Sequence, residues 1–147
     1  MGYRPAAGTT LSVKKAGEST YTEVGCIYDL SLDRGTRGST TRACLSATNK
    51  IIQPGLSEPG ELSFGIDFDP SDTMHVWLDG QLAASPQTAV HSWRINYPAV
   101  GESPACTDTF DGFVSGFTVD AADVDSGLEG SLTIALTSLP VLAEVEE

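Results

Sequence analysis

The 147-residue chain suits one domain, since domains usually hold roughly 100–200 residues. Hydrophobic residues make up 40% of it, and no apolar run approaches the roughly 20 residues of a membrane-spanning helix. The net charge is −12: residues 1–50 carry seven basic against four acidic side chains, whereas residues 51–147 carry one against sixteen. This distribution excludes a protein that binds DNA by neutralising phosphates, because such binding requires clustered Lys and Arg.

The first ten residues and the cysteines both indicate a reducing compartment. Residues 1–10 lack the charged start and apolar block of a secretory signal, so we expect the chain to be made in the host cytoplasm. Cys26, Cys44 and Cys106 are odd in number and widely spaced. We therefore expect three reduced thiols packed as small apolar groups, not a disulfide framework.

Alternation of apolar and polar residues predicts a mostly β fold from the first third of the chain onward. The first strands are expected at Thr10–Lys14 and Thr22–Leu32. In the second, one face is expected to hold Val24, Cys26, Tyr28, Leu30 and Leu32. Residues 33–41 contain two glycines and no apolar residue, which predicts an exposed polar hairpin loop.

A strand at Arg42–Thr48 is expected to follow the loop, and Glu61–Asp69 then shows an unbroken alternation. One helix is predicted over about 70–84, with Asp69 as its N-cap and Pro70 in its first turn. Gly80 weakens this helix and allows a break there. Its apolar stripe, which we expect to pack on a sheet, consists of Met74, Trp77, Leu78 and Leu82.

Three further strands are predicted at Ala89–Tyr97, Phe110–Val119 and Ser131–Leu139. An irregular loop is expected at Pro98–Asp108, between the first two of them. The acidic tail Ala143–Glu147 is expected to fray.

No group of residues has the pattern of a catalytic or cofactor site, and we predict neither. The two histidines, His75 and His91, lack the spacing of zinc ligands, and no cysteine lies in a recognised nucleophile motif. Calcium stays open as an alternative at two acidic clusters, Asp67–Asp72 and Asp120–Glu129, although neither follows the EF-hand order. The simpler interpretation is an N-cap for the first and a hydrophilic turn for the second, so we predict no metal site.

Aromatic residues that might stack on a sugar are better explained as core. Trp77 belongs to the predicted helix stripe, and Trp93 lies beside Ile95 in a predicted strand. Large aromatic side chains anchor cores more often than ligand sites.

Three segments, taken in order, resemble one family. Residues 54–70 enter the predicted helix, Trp93–Pro98 leaves it, and Phe110–Phe117 precedes the last strand. Across nearly its whole length the chain resembles the lambda-type tail tube (major tail) proteins of siphophages. The resemblance implies a β-sandwich or barrel with one flanking helix, built into hexameric rings that stack as a hollow, non-contractile tube for DNA.

The resemblance also implies partners and a location. The partners are further copies of the chain, a tape-measure protein, and tail-tip and terminator proteins; the location is the virion tail, with no membrane and no enzymatic activity. Some members of the family carry an additional C-terminal immunoglobulin-like domain, which we do not expect here.

Candidate site residues follow from the resemblance and from strand faces. Glu61 and Asp67 are expected to face the lumen, because Leu62, Phe64, Ile66 and Phe68 must face the core; Glu23 and Asp29 are further candidates. Candidates for the contact between rings, in or beside the polar loop, are Arg34, Gly35, Arg37, Gly38 and Arg42. The loop is expected to order only on assembly. Ordinary exposed strand faces and a solvated loop are the alternatives for these residues.

Two other functions remain open at this point. One is a tail terminator or head–tail joining protein, which forms a single ring. The other is a monomeric β-sandwich module that binds a receptor or a carbohydrate.

Overall fold

Ten strands and one helical segment form the described part of this computed structural model, which comprises residues 7–25, 27–43, 48–102, 104–121 and 127–145. The strands are β1 Thr10–Lys14, β2 Thr22–Val24, β3 Ile27–Leu32, β4 Thr36–Arg42, β5 Ile51–Glu58, β6 Glu61–Asp67, β7 His91–Tyr97, β8 Cys106–Asp120, β9 Glu129–Leu136 and β10 Val141–Glu144. The mostly β fold predicted from the sequence is confirmed.

Eight of the strands form one antiparallel sheet in the order β2-β1-β7-β8-β9-β6-β3, with β10 paired to the first part of β8. Leu11 and Val13, near one end of this order, share a single buried core with Leu62 and Ile66, near the other end. The sheet therefore curves around its core so that strands from both ends bury their inner faces together. We call this sheet, with the helix, the body.

Strand β8 is longer than predicted. It begins at Cys106, inside the segment expected to be an irregular loop, and pairs Asp108 with Ile95 and Thr107 with Asn96 of β7. The prediction of a loop over 98–108 is therefore wrong for its last three residues, which belong to β8. Thr107 and Asp108 carry no apolar signal, yet their backbone groups complete the ladder with β7 and with β10.

The strand predicted at Thr22–Leu32 is divided into β2 and β3. A bulge between Tyr28 and Ser31, where Asp29 has a φ of 54°, interrupts the alternation of β3. As a result Leu32 lies opposite buried Leu62, whereas Tyr28 lies opposite Gly65 on the outer face of the sheet. The prediction that Tyr28 and Leu32 share a face is wrong because the bulge shifts the register.

The α-helix, α1, comprises Thr73–Gly80 and continues as a 3₁₀ turn at Gln81–Ala83. It begins three residues later than predicted: the Asp72 carboxylate caps it by accepting a hydrogen bond from the Met74 N–H at 2.8 Å. Asp69 instead accepts hydrogen bonds from the N–H and hydroxyl of Ser71, which fixes a turn before the helix.

The helix packs on the sheet through Met74, His75 and Leu78, which are buried. Leu82 is 50% exposed, so it is not part of the predicted stripe, because the change to a 3₁₀ turn rotates it away. Trp77 is half-buried, and its ring lies 4.8 Å from the ring of His91.

His91 joins three elements of the body. Its Nδ1 accepts a hydrogen bond from the Ala16 N–H at 2.8 Å, and its Nε2 lies 2.6 Å from Oε1 of Gln81. Since Nδ1 accepts, Nε2 is the nitrogen that carries the proton and donates to Gln81. This neutral tautomer connects β7 to the turn after β1 and to the end of the helix.

The segment predicted as a polar loop is a strand. Thr36–Arg42 pairs antiparallel with Ile51–Glu58, and the two strands form a separate ribbon between β3 and β6. The prediction fails because no side chain of β4 is buried, so the strand leaves no apolar alternation in the sequence. Of the strand predicted at Arg42–Thr48, Arg42 is the last residue of β4, Ala43 and Thr48 lie in no strand, and residues 44–47 lie outside the described residues.

None of the helices in the described residues has the length and hydropathy needed to cross a membrane.

Candidate functional site

The ribbon of β4 and β5 projects from the body and is called the arm here. Every residue of β4 is exposed, and β5 contributes only half-buried Gly55 and Ser57. Arg37 donates a hydrogen bond from Nη1 to the Gly55 carbonyl at 2.9 Å, and Gly38 lies against the Gly55 backbone. The arm is therefore held together by its ladder and not by a core.

Apolar side chains occur on both faces of the arm. Ile51 pairs with Arg42 and Ile52 pairs with Thr41, and neighbouring positions along a strand point to opposite faces. Ile51 is 56% exposed, Ile52 70% and Leu56 89%. A two-stranded ribbon is marginally stable alone in water, so these side chains favour burial against another molecule.

At the base of the arm, Arg34 forms an ion pair with Asp108 through Nη1 and Oδ2. Asp108 lies in β8 and is fully buried, whereas the Arg34 side chain is 49% exposed. Asp108 also accepts a hydrogen bond from the Tyr97 hydroxyl at 3.2 Å. Burial, then the charge of Asp108 and this hydrogen bond, raise the pKa of the Tyr97 phenol.

Gly35, next to Arg34, has a φ of +119°, a conformation that favours glycine. A Cβ there would lie 2.5 Å from the Glu58 carbonyl oxygen. Of the five residues predicted for contact between rings, Arg34 and Gly35 thus lie at the base of the arm. Arg37, Gly38 and Arg42 lie in β4.

A row of three carboxylates crosses the outer face of the sheet. Asp67 of β6 lies directly opposite Glu129 of β9, and Glu129 lies directly opposite Asp120 of β8. All three side chains are exposed. Residues paired in this way lie side by side on one face, so three negative charges are adjacent on neighbouring strands. We call Asp67, Glu129 and Asp120 the acidic row.

Tyr28 lies beside the acidic row, across Gly65. Partial burial raises the pKa of its phenol, and the charges of Glu129, Asp67, Asp29 and Asp120 raise it further. The same four carboxylates therefore concentrate negative charge around one point of the outer face.

The four predicted lumen candidates are all exposed but do not form one group. Asp67 belongs to the acidic row, and Asp29 adds its charge at Tyr28. Glu61 lies at the other end of β6, opposite Ala135. Glu23 lies in β2, at the far end of the strand order from β3.

The structure describes one of the three cysteines and part of the second acidic cluster. Within the described ranges, no three His, Cys, Asp or Glu side chains are grouped so that they could hold a metal ion. Asp123 and Asp125 of the second acidic cluster, like Cys26 and Cys44, lie outside these ranges. Cys106 is a free, half-buried thiol.

Three residues of these candidate surfaces are not predicted as site residues from the sequence: Asp108, Asp120 and Glu129. Asp108 falls in a predicted loop, and its partner is 74 residues away in sequence. Asp120 and Glu129 fall in a predicted hydrophilic turn, although both flank predicted strands. Extending those two strands by one or two residues would have placed both carboxylates on a strand face.

Three solved structures with the same fold come from phage tails and injection systems. The protein from the sheath–tube complex of an extracellular contractile injection system (PVC) superposes with a TM-score of 0.75 at 14% identity, covering 97% of this chain and 93% of that one. The SPP1 tail tube gives 0.71 at 7% identity, over 99% and 81% of the two chains. The tail of an empty GTA particle gives 0.69 at 10% identity, over 98% and 100%.

These similarities define a tail tube fold. Among curated protein sequences, none matches this chain significantly. The model of the lambda-like phage tail tube protein family matches residues 5–144, and the chain belongs to that family. It is a structural component of a phage tail or related injection system and not an enzyme.

Proposed function

We propose that this protein is the repeating subunit of a non-contractile tail tube, in which hexameric rings stack helically and DNA passes through an acidic lumen. The exposed arm carries the proposal, because it presents apolar side chains that the chain itself does not cover.

A second copy of the chain is the occupant that the arm fits. Residues 33–60 carry four basic and two acidic side chains, a net charge of +2, so the rest of the chain carries −14. Opposite potentials favour contact between the arm of one copy and the body of another. Such a contact would cover Ile51, Ile52 and Leu56.

The apolar residues on both faces support an arm that is covered from both sides. A ribbon placed between two neighbouring copies would bury Ile51 against one and Ile52 against the other. Stacked rings provide this environment where the arm of one ring reaches the next, with Arg37 and Arg42 paired to acidic groups, whereas Arg34 is paired within its own chain. Surface ion pairs contribute about 0–1 kcal/mol each, so they would set register more than strength.

The edge strands of the sheet support closure of the subunits into a ring. Strands β2 and β3 end the strand order, and each pairs on one side only within the described residues. Unpaired strand edges invite partners, and a ring of copies removes every edge. The relative from the GTA tail was refined with C6 symmetry and helical symmetry, which supports six subunits for each ring here as well.

The acidic row supports a lumen that repels DNA. Polyanions that must slide through a tube should not be held by its wall, and Asp67, Glu129 and Asp120, with Asp29 beside them, present carboxylates on one outer face. We propose that this face lines the lumen. Glu61 shares the polar side of β6 and extends the same face, whereas Glu23 is the most distant candidate.

Shortening the arm tests assembly. Thr36 and Glu58 are paired across the ladder, so replacement of residues 37–57 by Asn-Gly joins them with a two-residue hairpin turn. The variant should fold, as circular dichroism will show, but should not form the long hollow tubes that negative-stain microscopy is expected to reveal for the native chain. Long tubes from the shortened variant would contradict the proposal.

The assembly state of the native chain distinguishes the remaining alternatives. Single rings that never stack would favour a terminator or joining protein. Monodisperse single subunits at high concentration would contradict a tube and favour a binding module. A tube subunit also requires a tape-measure protein, tail-tip proteins and a terminator protein as partners. The subunit would be made in the host cytoplasm.

Charge reversal tests the lumen. Tubes of an Asp67→Lys/Asp120→Lys variant should retain short DNA fragments that nuclease cannot reach. Asp79→Lys, on the exposed side of the helix, is the matched control, and any DNA that it binds should remain digestible. Digestion of the DNA on both tubes alike would place the acidic row outside the lumen.

A further inference from the structure

The ion pair between Arg34 and Asp108 joins the arm to the body. Arg34 lies between β3 and β4, in the segment where the chain leaves the sheet for the arm. Asp108 lies in β8 of the body and is fully buried. Among the described residues this is the one ion pair, and it connects parts of the chain 74 residues apart.

Asp108 depends on this contact. Oδ2 accepts from Arg34 and from Tyr97, while Oδ1 is buried without a hydrogen-bond partner in the described part of the chain. A buried carboxylate is costly unless it is paired. The guanidinium of Arg34 also reaches the Pro140 carbonyl oxygen through Nη2, at 3.5 Å. The Arg34 side chain thus bridges β8 and the segment before β10.

The backbone around Arg34 is closely packed. The Asp33 carboxylate accepts a hydrogen bond from the Gly35 N–H at 3.0 Å. A Cβ at Gly60 would lie 2.3 Å from the Asp33 carbonyl oxygen, so the two connections between arm and body are pressed against each other. The base of the arm is therefore a close-packed joint and not a flexible tether.

We propose that Arg34 and Asp108 form a positioning joint that fixes the direction in which the arm leaves the body. The joint sets the arm before a neighbouring copy arrives, so that little ordering entropy is lost on assembly. This inference rests on the proposed contact between the arm and a second copy. It replaces the expectation of a segment that orders only on assembly with an arm that is ordered in advance.

Three variants test the joint. Asp108→Asn keeps the shape of the side chain and removes its charge, Arg34→Gln removes the partner charge, and Arg34→Lys keeps it. Asp111→Asn is the matched control: it makes the same change three residues along β8, at an exposed carboxylate that accepts a hydrogen bond from Ser92 at 3.0 Å.

Hydrogen exchange of the unassembled subunit is the first measurement. Asp108→Asn and Arg34→Gln should raise exchange about tenfold in peptides covering 33–42 and 51–58 and leave β9 peptides unchanged, since a tenfold change corresponds to about 1.4 kcal/mol of local opening. Arg34→Lys and Asp111→Asn should behave as the native chain. Unchanged arm exchange in both Asp108→Asn and Arg34→Gln would overturn the joint.

Tube assembly is the second measurement. The concentration needed for polymerisation should rise about tenfold in Arg34→Gln, the same conversion as above, and stay unchanged in Asp111→Asn. Faster exchange in β9 as well would show that Asp108→Asn unfolds the subunit. In that case the joint is tested with Arg34→Gln alone. Native assembly by Arg34→Gln with faster arm exchange would show that direction does not limit assembly and would overturn the proposal. Failure of the native chain to polymerise would count against the proposed tube. The joint would then be tested by the hydrogen-exchange measurement alone.

Discussion

The phenol ring of Tyr28 lies across the backbone of Gly65: a Cβ at Gly65 would be 2.5 Å from Cε2 of Tyr28. The two residues are directly opposed on β3 and β6, on the outer face beside the acidic row. Glycine at position 65 is thus required by an aromatic neighbour, since the Tyr28 ring occupies the space that a side chain would need.

Gly65→Ala should lower the free energy of unfolding by about 1 kcal/mol, near the lower end of overpacking costs, because the ring can move toward solvent. Urea denaturation measures the change. In a Tyr28→Ser background the same substitution should cost little, since the contact is gone. Gly80→Ala is the control: its Cβ meets no atom within 4 Å, so stability should stay equal or rise. An equal loss in the Tyr28→Ser background would contradict the assigned contact.

Leu78→Ala should remove the main attachment of the helix. Leu78 is fully buried, and truncation of buried leucine costs about 2–5 kcal/mol. Val76→Ala, two residues earlier and 54% exposed, should change stability by less than about 0.5 kcal/mol. Thermal unfolding followed by circular dichroism compares the two. Similar losses in both variants would mean that the helix packs through another face.

His91 should make the body sensitive to acid. Burial, and then the charge of Lys15, lower the pKa of the His91 imidazole, whose Nδ1 accepts the Ala16 N–H. Its contribution is present above the ordinary pKa of about 6.5 and is lost as the pH falls through the lower folded-state pKa. The unfolded chain binds the proton more readily, so stability should fall on acidification.

The comparison with His91→Gln isolates this effect. The variant should be less stable than the native chain at pH 7.5, and the difference should shrink toward pH 5, because both share every other titrating group. Denaturant unfolding at several pH values measures it. A difference that stays constant over this range would rule out titration of His91 as its source.

The acidic row should weaken the isolated subunit at low salt. Like charges directly opposed on neighbouring strands destabilise by roughly 0.2–1 kcal/mol for each pair. The triple variant Asp67→Asn/Glu129→Gln/Asp120→Asn should therefore unfold at a higher temperature than the native chain. The gain should disappear in 1 M salt, where the Debye length is about 3 Å. Glu102→Gln, an exposed acid outside the acidic row, serves as the control and should show no such gain.

Strands with one buried face were the part of this fold that the sequence could predict. β1 has the predicted bounds, and the alternation around Leu62, Phe64 and Ile66 located β6, because burial on one face imposes a period of two. The arm is not predicted from the sequence because its strands are exposed and show no apolar alternation. Pro54 and Gly55 also disfavour a strand at β5. Tyr28 was assigned to the wrong face because no local signal marks the bulge at Asp29.

The candidate surfaces were predicted less well than the strands. Asp67 and Asp29 can be proposed from the sequence because they lie among apolar residues in predicted strands, whereas placing Asp120 and Glu129 beside Asp67 requires the register of three strands. The Arg34–Asp108 pair depends on strand order, which brings residue 108 to the base of the arm, and no spacing in the sequence encodes that order.

Strand β8 has a mechanical consequence for the whole subunit. Over its 15 residues it holds β7 along one edge, and first β10 and then β9 along the other. β7 and β9 cannot detach without stripping part of β8, so these three strands should behave as one cooperative unfolding unit that opens near the global free energy, whereas β10, whose residues are all exposed, can fray from it. A pulling force on the subunit would meet this unit as a single element, whereas the arm, which lies outside its ladder, would open independently of it.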